Sequence, residues 1–172
     1  MPGRPATGFG HYLRDVVYGA LDGVITTLAV IAGAAGAHLE PRVGIILGLA
    51  NLVADGLSMG ASNYLGLKSE LEQANHSIAA EAPWRHGLAT AAAFATVGAV
   101  PLAGYAVAPV LGVSVLPVAG VLAAAALLVA GAVRAPFVRK RAWVSAGEML
   151  VIGGAATLAA YAVGAGAEAW LR

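Results

Sequence analysis

The chain has 172 residues, of which 59% are hydrophobic and 11% charged, with a formal net charge of +1 and no cysteine. A soluble domain carries about 25% charged residues, so lipid rather than water is the solvent for most of this surface. The missing cysteines exclude disulfides, thiolate metal sites and thiol catalysis, and the balanced charge without a basic cluster gives no footing for nucleic acid.

A bilayer crossing takes about 20 apolar residues, and five stretches reach that length. They are predicted at Val16–Ala37, Val43–Leu67, Gly87–Ala108, Val115–Val133 and Trp143–Gly166. Together they form one five-helix transmembrane domain covering residues 1–172, an all-α polytopic membrane protein. Breaks fall at His38–Arg42, at the polar run Lys68–His86, at Pro109–Ser114 and at Arg134–Arg141. Pro101 interrupts the third stretch and predicts a kink there. The first stretch ends in Ala35-Gly36-Ala37, as a signal peptide does, but it is too long for an h-region and contains Asp22, so no cleavage is expected.

Lysine and arginine orient the spans. Arg4, Arg14, Lys68, Arg85, Arg134, Arg139, Lys140 and Arg141 share one side of a five-span arrangement, against Arg42 and Arg172 on the other. Positively charged loops stay inside, which makes the N-terminus cytoplasmic and the C-terminus external.

The polar residues within the spans carry the functional signal. An ionisable group near the bilayer centre costs roughly 2.5–3.5 kcal/mol on insertion scales and therefore faces a partner, a cavity or an ion. Asp22 is such a group on the first span. Asp15 shares its face about 10 Å away; it reads as a solvated helix end beside Arg14, with a place on the ion path as the alternative. On the second span Asn51, Asp55, Met59 and Asn63 recur every four residues, a stripe about 18 Å long. Asparagine and serine hold helices together by hydrogen bonds, but a carboxylate needs a proton, a cation or a basic partner, and no Lys or Arg lies mid-span. Carboxylate oxygens with a thioether fit Fe(II), Mn(II) or a neighbouring divalent ion better than Mg or Ca. The pairs Gly19/Gly23, Gly44/Gly48 and Gly56/Gly60 offer close helix approach beside these residues. Glu148 reads as an interfacial anchor near Arg141, with the ion path as the alternative. Glu72 and His76, four apart in the polar run, read as a solvated acidic loop or as a weak cytoplasmic site admitting cations. Nothing in the chain reads as a phosphate loop, a catalytic triad or an ATP motif, so no enzyme activity is expected and any transport is gradient-driven.

Tyr18–Thr27 (YGALDGVITT) and Ala54–Leu65 (ADGLSMGASNYL) resemble the vacuolar iron transporter family, which includes nodulin-21-like proteins. The resemblance runs over nearly the whole chain. It implies a five-helix subunit, a homodimer with the ion path at the subunit interface, and export of Fe2+ or Mn2+ from the cytosol in exchange for protons. It makes Asp22 the family's intramembrane aspartate and Met59 the methionine of its Ser-Met motif. Two departures stand out. The long Glu-rich cytoplasmic insert of iron-transporting members is replaced by the short run Lys68–His86, and the family's Gly-Glu-Tyr reads Ser62-Asn63-Tyr64. Both weaken high-affinity iron capture and favour a broader or manganese-leaning specificity.

The expected function is thus a proton-coupled exporter of divalent transition metal. Asp22 and Asp55 exchange ion for proton, Met59 tunes selectivity, and Asn51 and Asn63 supply neutral oxygens. The expected partners are the metal ions, the bilayer and a second copy, with no resident cofactor. Abundant Ala, Gly and Val and short loops point to a prokaryotic inner membrane. The alternatives are a non-transporting scaffold or sensor with protonated acids, or a transporter of another small solute.

Overall fold

In lipid no water satisfies backbone polar groups, so an apolar stretch crosses as a helix that bonds internally. The computed structural model describes residues 9–74, 77 and 81–171, and all regular structure among them is helical. The helices are α1 (Phe9–Gly36), α2 (Pro41–Gln73), α3 (Pro83–Gly98), α4 (Gly104–Leu111), α5 (Val115–Arg134) and α6 (Ala142–Leu171). Five segments are long and apolar enough to cross a membrane, α3 and α4 counting as one.

Two helices run beyond their apolar stretches. α1 begins at Phe9, well before Val16, and α2 continues past Leu67 to Gln73, turning the first part of the polar run into helix. At Pro101 the chain breaks more deeply than a kink: a three-residue 3-10 turn, Pro101–Ala103, separates α3 from α4. Proline has no N–H to donate and its ring clashes with the preceding turn. Pro109 stays inside α4, which ends at Gly112 with a φ of +66°, a value that glycine adopts without strain.

α1 is the hub, in contact with α2, α3, α5 and α6. Of its apolar stretch 44% is buried, against 11% for α6. Val24, Leu28 and Ile31 pack onto Ala119, Ala123 and Leu127 of α5 and Met149 of α6. Leu49, Val53 and Leu57 of α2 point outwards and are 53–66% exposed, a cost in water but not in hydrocarbon.

Small residues set the spacing around α1 and α2, because helices in lipid associate by van der Waals packing and gain from close backbone approach. A Cβ at Gly23 would lie 2.5 Å from the Phe94 carbonyl oxygen, and one at Gly60 would lie 2.7 Å from the Gly87 carbonyl oxygen. Glycine is therefore required where α3 wedges between α1 and α2. α2 buries Gly44, Gly48, Leu52, Gly56 and Gly60, one residue per turn. The polar stripe of α2 lies beside that buried line, half-buried towards α1.

Candidate functional site

α1 and α2 run antiparallel through the short connection at 37–40, so their polar stripes meet in reverse order. At one end Asn63 Nδ2 donates to Asp15 Oδ1 at 2.9 Å. Further along, Asp22 shares a crevice with Met59 and Ser62. Beyond that, Asn51 Nδ2 donates to Thr26 Oγ1 at 3.2 Å, and Thr26 Oγ1 donates to the Asp22 carbonyl at 2.9 Å.

The crevice has a volume of about 410 Å³ and is lined by Tyr18, Asp22, Ser58, Met59, Ser62 and Asn63. Asp22, Met59 and Asn63 are half-buried, while Ser58 and Ser62 are exposed and Tyr18 is 64% exposed. The crevice therefore opens on the flank of the chain. Asp55 stands outside its lining, one turn from Met59 and half-buried. Among the described residues neither carboxylate has an ion-pair or side-chain hydrogen-bond partner. The Asp22 carboxylate, a thioether and hydroxyls around one cavity, with the unpaired Asp55 one turn from Met59, form a donor set for a divalent cation or for protons.

Asp15 corrects an expectation. It is not a solvated helix end, since its side chain is 2% exposed. α1 starts six residues earlier, and the N-terminus of α3 covers Asp15. One carboxylate oxygen faces His86 Nδ1 at 2.6 Å, and the other accepts from Asn63. The exposed Arg14 lies 3.8 Å away by its Nε. Asn63 Nδ2 also lies 2.7 Å from Thr90 Oγ1, which donates in turn to the His86 carbonyl. Both bonds of Asn63 use Nδ2, which leaves its Oδ1 without a side-chain partner among the described residues. His86 Nε2 faces His11 Nε2 at 3.1 Å.

The remaining predicted residues lie elsewhere. Glu148 pairs with Lys140 and with Arg134, whose Nη1 is 3.4 Å from Oε2. It thus anchors the α5–α6 connection, and its partners are these two rather than Arg141. A cavity of about 690 Å³ between α1 and α6 includes Glu148, Arg14 and Arg134 in its lining. With those cations present it is a poorer place for a metal ion than the smaller crevice. Glu72 extends α2 and lies 3.8 Å from Lys68, one turn back. His76 lies outside the described residues.

His11, Tyr18 and Thr90 join the candidate residues only in the folded chain, and His86, at the end of the polar run, lies within α3. Two spacings carried a signal: His11 lies four residues before Asp15, and His86 four before Thr90. Either places two polar groups on one helix face.

The VIT family profile matches residues 13–82 and 72–165. The vacuolar iron transporter of Plasmodium berghei is 38% identical over 61 residues, 36% of this chain and 22% of the relative. That of Toxoplasma gondii is 42% identical over 59 residues, 34% of this chain and 20% of the relative. Vacuolar iron transporter 1 of Arabidopsis thaliana is 36% identical over 61 residues, 36% of this chain and 24% of the relative. The matched segment thus spans roughly a quarter or less of these curated relatives' length.

Proposed function

The chain belongs to the VIT family, and from that premise we propose that it exports divalent transition-metal ions, Fe2+ and/or Mn2+, from the cytosol in exchange for protons. The observation that carries the reading is the pair Asp22 and Asp55: intramembrane carboxylates without a partner among the described residues, one of them lining a crevice with Met59. Helix-gluing acids would be bonded across a helix contact, as Asp15 is. Asp22 and Asp55 instead keep their oxygens for an ion or for protons. That geometry supports exchange. Two carboxylates near one another bind a dication when ionised and release it as they take up protons from the far side. Met59 adds a soft donor that Mg2+ and Ca2+ do not favour.

The charge bias supports a cytoplasmic N-terminus. The flank position of the crevice supports a homodimer, because polar groups facing hydrocarbon are costly and a second copy seated there covers Tyr18, Ser58 and Ser62. The short loops support residence in a prokaryotic plasma membrane. The reading needs no resident cofactor.

The experiment is metal uptake into proteoliposomes with an acidic interior, comparing Fe2+, Mn2+, Co2+ and Mg2+ in wild type and Asp22→Ala. The expected result is uptake that needs both the pH gradient and Asp22, with Fe2+ or Mn2+ ahead of Mg2+. Equal flux in Asp22→Ala sinks the assignment. No flux of any ion from folded, inserted protein shifts the reading to a scaffold or to another solute.

A further inference from the structure

Besides the intramembrane crevice, three ligand-type side chains meet where α1 and α3 begin. His11 from α1, Glu81 two residues before α3 and His86 from α3 each place a nitrogen or oxygen within 4.8 Å of the other two. The two histidine Nε2 atoms are 3.1 Å apart, and Glu81 Oε2 is 3.7 Å from His11 Nε2. We propose that His11, His86 and Glu81 bind a divalent transition-metal ion, separate from the crevice that contains Asp22.

Tautomer and distance carry the argument. His86 is 5% exposed and its Nδ1 lies 2.6 Å from a carboxylate that is itself buried. A neutral imidazole donating Nδ1–H to Asp15 presents its Nε2 lone pair to His11. This is the carboxylate–histidine arrangement that orients metal ligands and raises their basicity. Two Nε2 atoms in contact need a proton or a cation between their lone pairs. A metal bound tetrahedrally through bonds of about 2.0–2.1 Å separates its ligand atoms by about 3.3 Å, close to the 3.1 Å between the two Nε2 atoms, and Glu81, on a partly exposed side chain, closes the third corner by a small rotation. Two imidazoles and one carboxylate complete three corners and leave the fourth open to water. Imidazole selects Zn, Fe, Ni, Cu or Co over Mg and Ca.

Ala82, between Glu81 and α3, adopts a φ of 46°, left-handed backbone that is uncommon for a residue with a Cβ. This turn carries the chain from Glu81 into α3. Asp15 joins the site to the crevice, since Asn63 bonds Asp15 and also lines the crevice. The ion-binding claim stands on its own geometry; service as a cytoplasmic loading point for the crevice rests on the transport reading.

The test uses the purified full chain in detergent, in an Asp22→Asn/Asp55→Asn background that removes the intramembrane carboxylates. Equilibrium dialysis against Co2+ measures occupancy, and visible absorption reports the ligand field. The expected result is about one Co2+ per chain with the intense bands of a low-coordinate site. His11→Ala should weaken binding at least ~10-fold and lose those bands, and Glu81→Gln should weaken it less. His11 and Glu81 are partly exposed, so both variants should retain wild-type helicity and elution. Asp15→Asn, which acts through His86, should shift the bands and weaken binding. Excess Mg2+ should not displace the ion. No Co2+ bound in the background protein, or equal affinity in folded His11→Ala, overturns the proposal. Dialysis does not depend on flux, so failed transport leaves the site standing and a missing cobalt site leaves the crevice standing.

Discussion

The α1–α2–α3 side of the bundle and the α5–α6 side are both built from helices long and apolar enough to cross a membrane, yet they are held together differently. α5 and α6 meet α1 through Ala119, Ala123, Leu127 and Met149, all nearly inaccessible and all apolar. Close glycine contacts occur on both sides, but α1, α2 and α3 add a seam of polar bonds running from His86 through Asp15 and Asn63 to Thr90, with Asn51 and Thr26 further along. Away from the ion pairs and the Arg134–Ser145 bond at the α5–α6 connection, the wall is assembled by shape. The seam needs each polar group to find its counterpart, because an unsatisfied one in hydrocarbon costs several kcal/mol. Asp22 and Asp55 are exceptions on that seam, which makes them the functional suspects.

The contrast can be broken at several points, in falling order of effect. Gly23→Leu drives a side chain into the Phe94 backbone and should abolish folded protein, whereas Gly154→Ala, with nothing within 4 Å of its added Cβ, should leave the melting temperature unchanged; expression and size-exclusion profiles decide. In the wall, Leu127→Ala removes a side chain that is 2% exposed and should cost about 2–5 kcal/mol, with metal selectivity intact. Asp15→Asn weakens a charge-assisted bond to His86 and should lower stability by about 1–3 kcal/mol. Asp22→Asn should sharpen the comparison most: it breaks no side-chain bond, so thermal stability should hold while flux falls to background. An Asp22→Asn protein that melts much earlier than wild type would make Asp22 part of the seam's glue. The smallest effect belongs to Glu148→Gln, whose carboxylate is tied to Lys140 and Arg134 at the α5–α6 connection; flux and ion ranking should match wild type.

The comparison of Asp15 with Asp22 also shows where reading the chain alone runs out. Both are aspartates on one face of one helix, and by local spacing Asp15 looks the wetter because Arg14 and the helix start are near. Its burial comes from His86, 71 residues away, carried in by α3. Pro101 was legible as an interruption, but that it opens a full 3-10 turn between α3 and α4 was not. The glycine pairs were legible as close-approach sites, whereas their partners were not: α3 for Gly19, Gly23, Gly56 and Gly60, Leu102 of the 3-10 turn for Gly48 and Tyr105 of α4 for Gly44.

Length and apolarity determined by themselves that this chain makes five membrane-crossing helices, since backbone bonding within each helix is local and lipid leaves no other economical choice. The position of Asp22 mid-span and the four-residue stripe on α2 were equally local facts. Which polar groups are satisfied and which are left for an ion was decided only by the tertiary structure. Antiparallel packing of α1 on α2 set Asn63 against Asp15 and Asn51 against Thr26, and α3 brought His86 to Asp15. Such pairings depend on register and rotation between helices distant in sequence, which no periodicity within a single helix encodes.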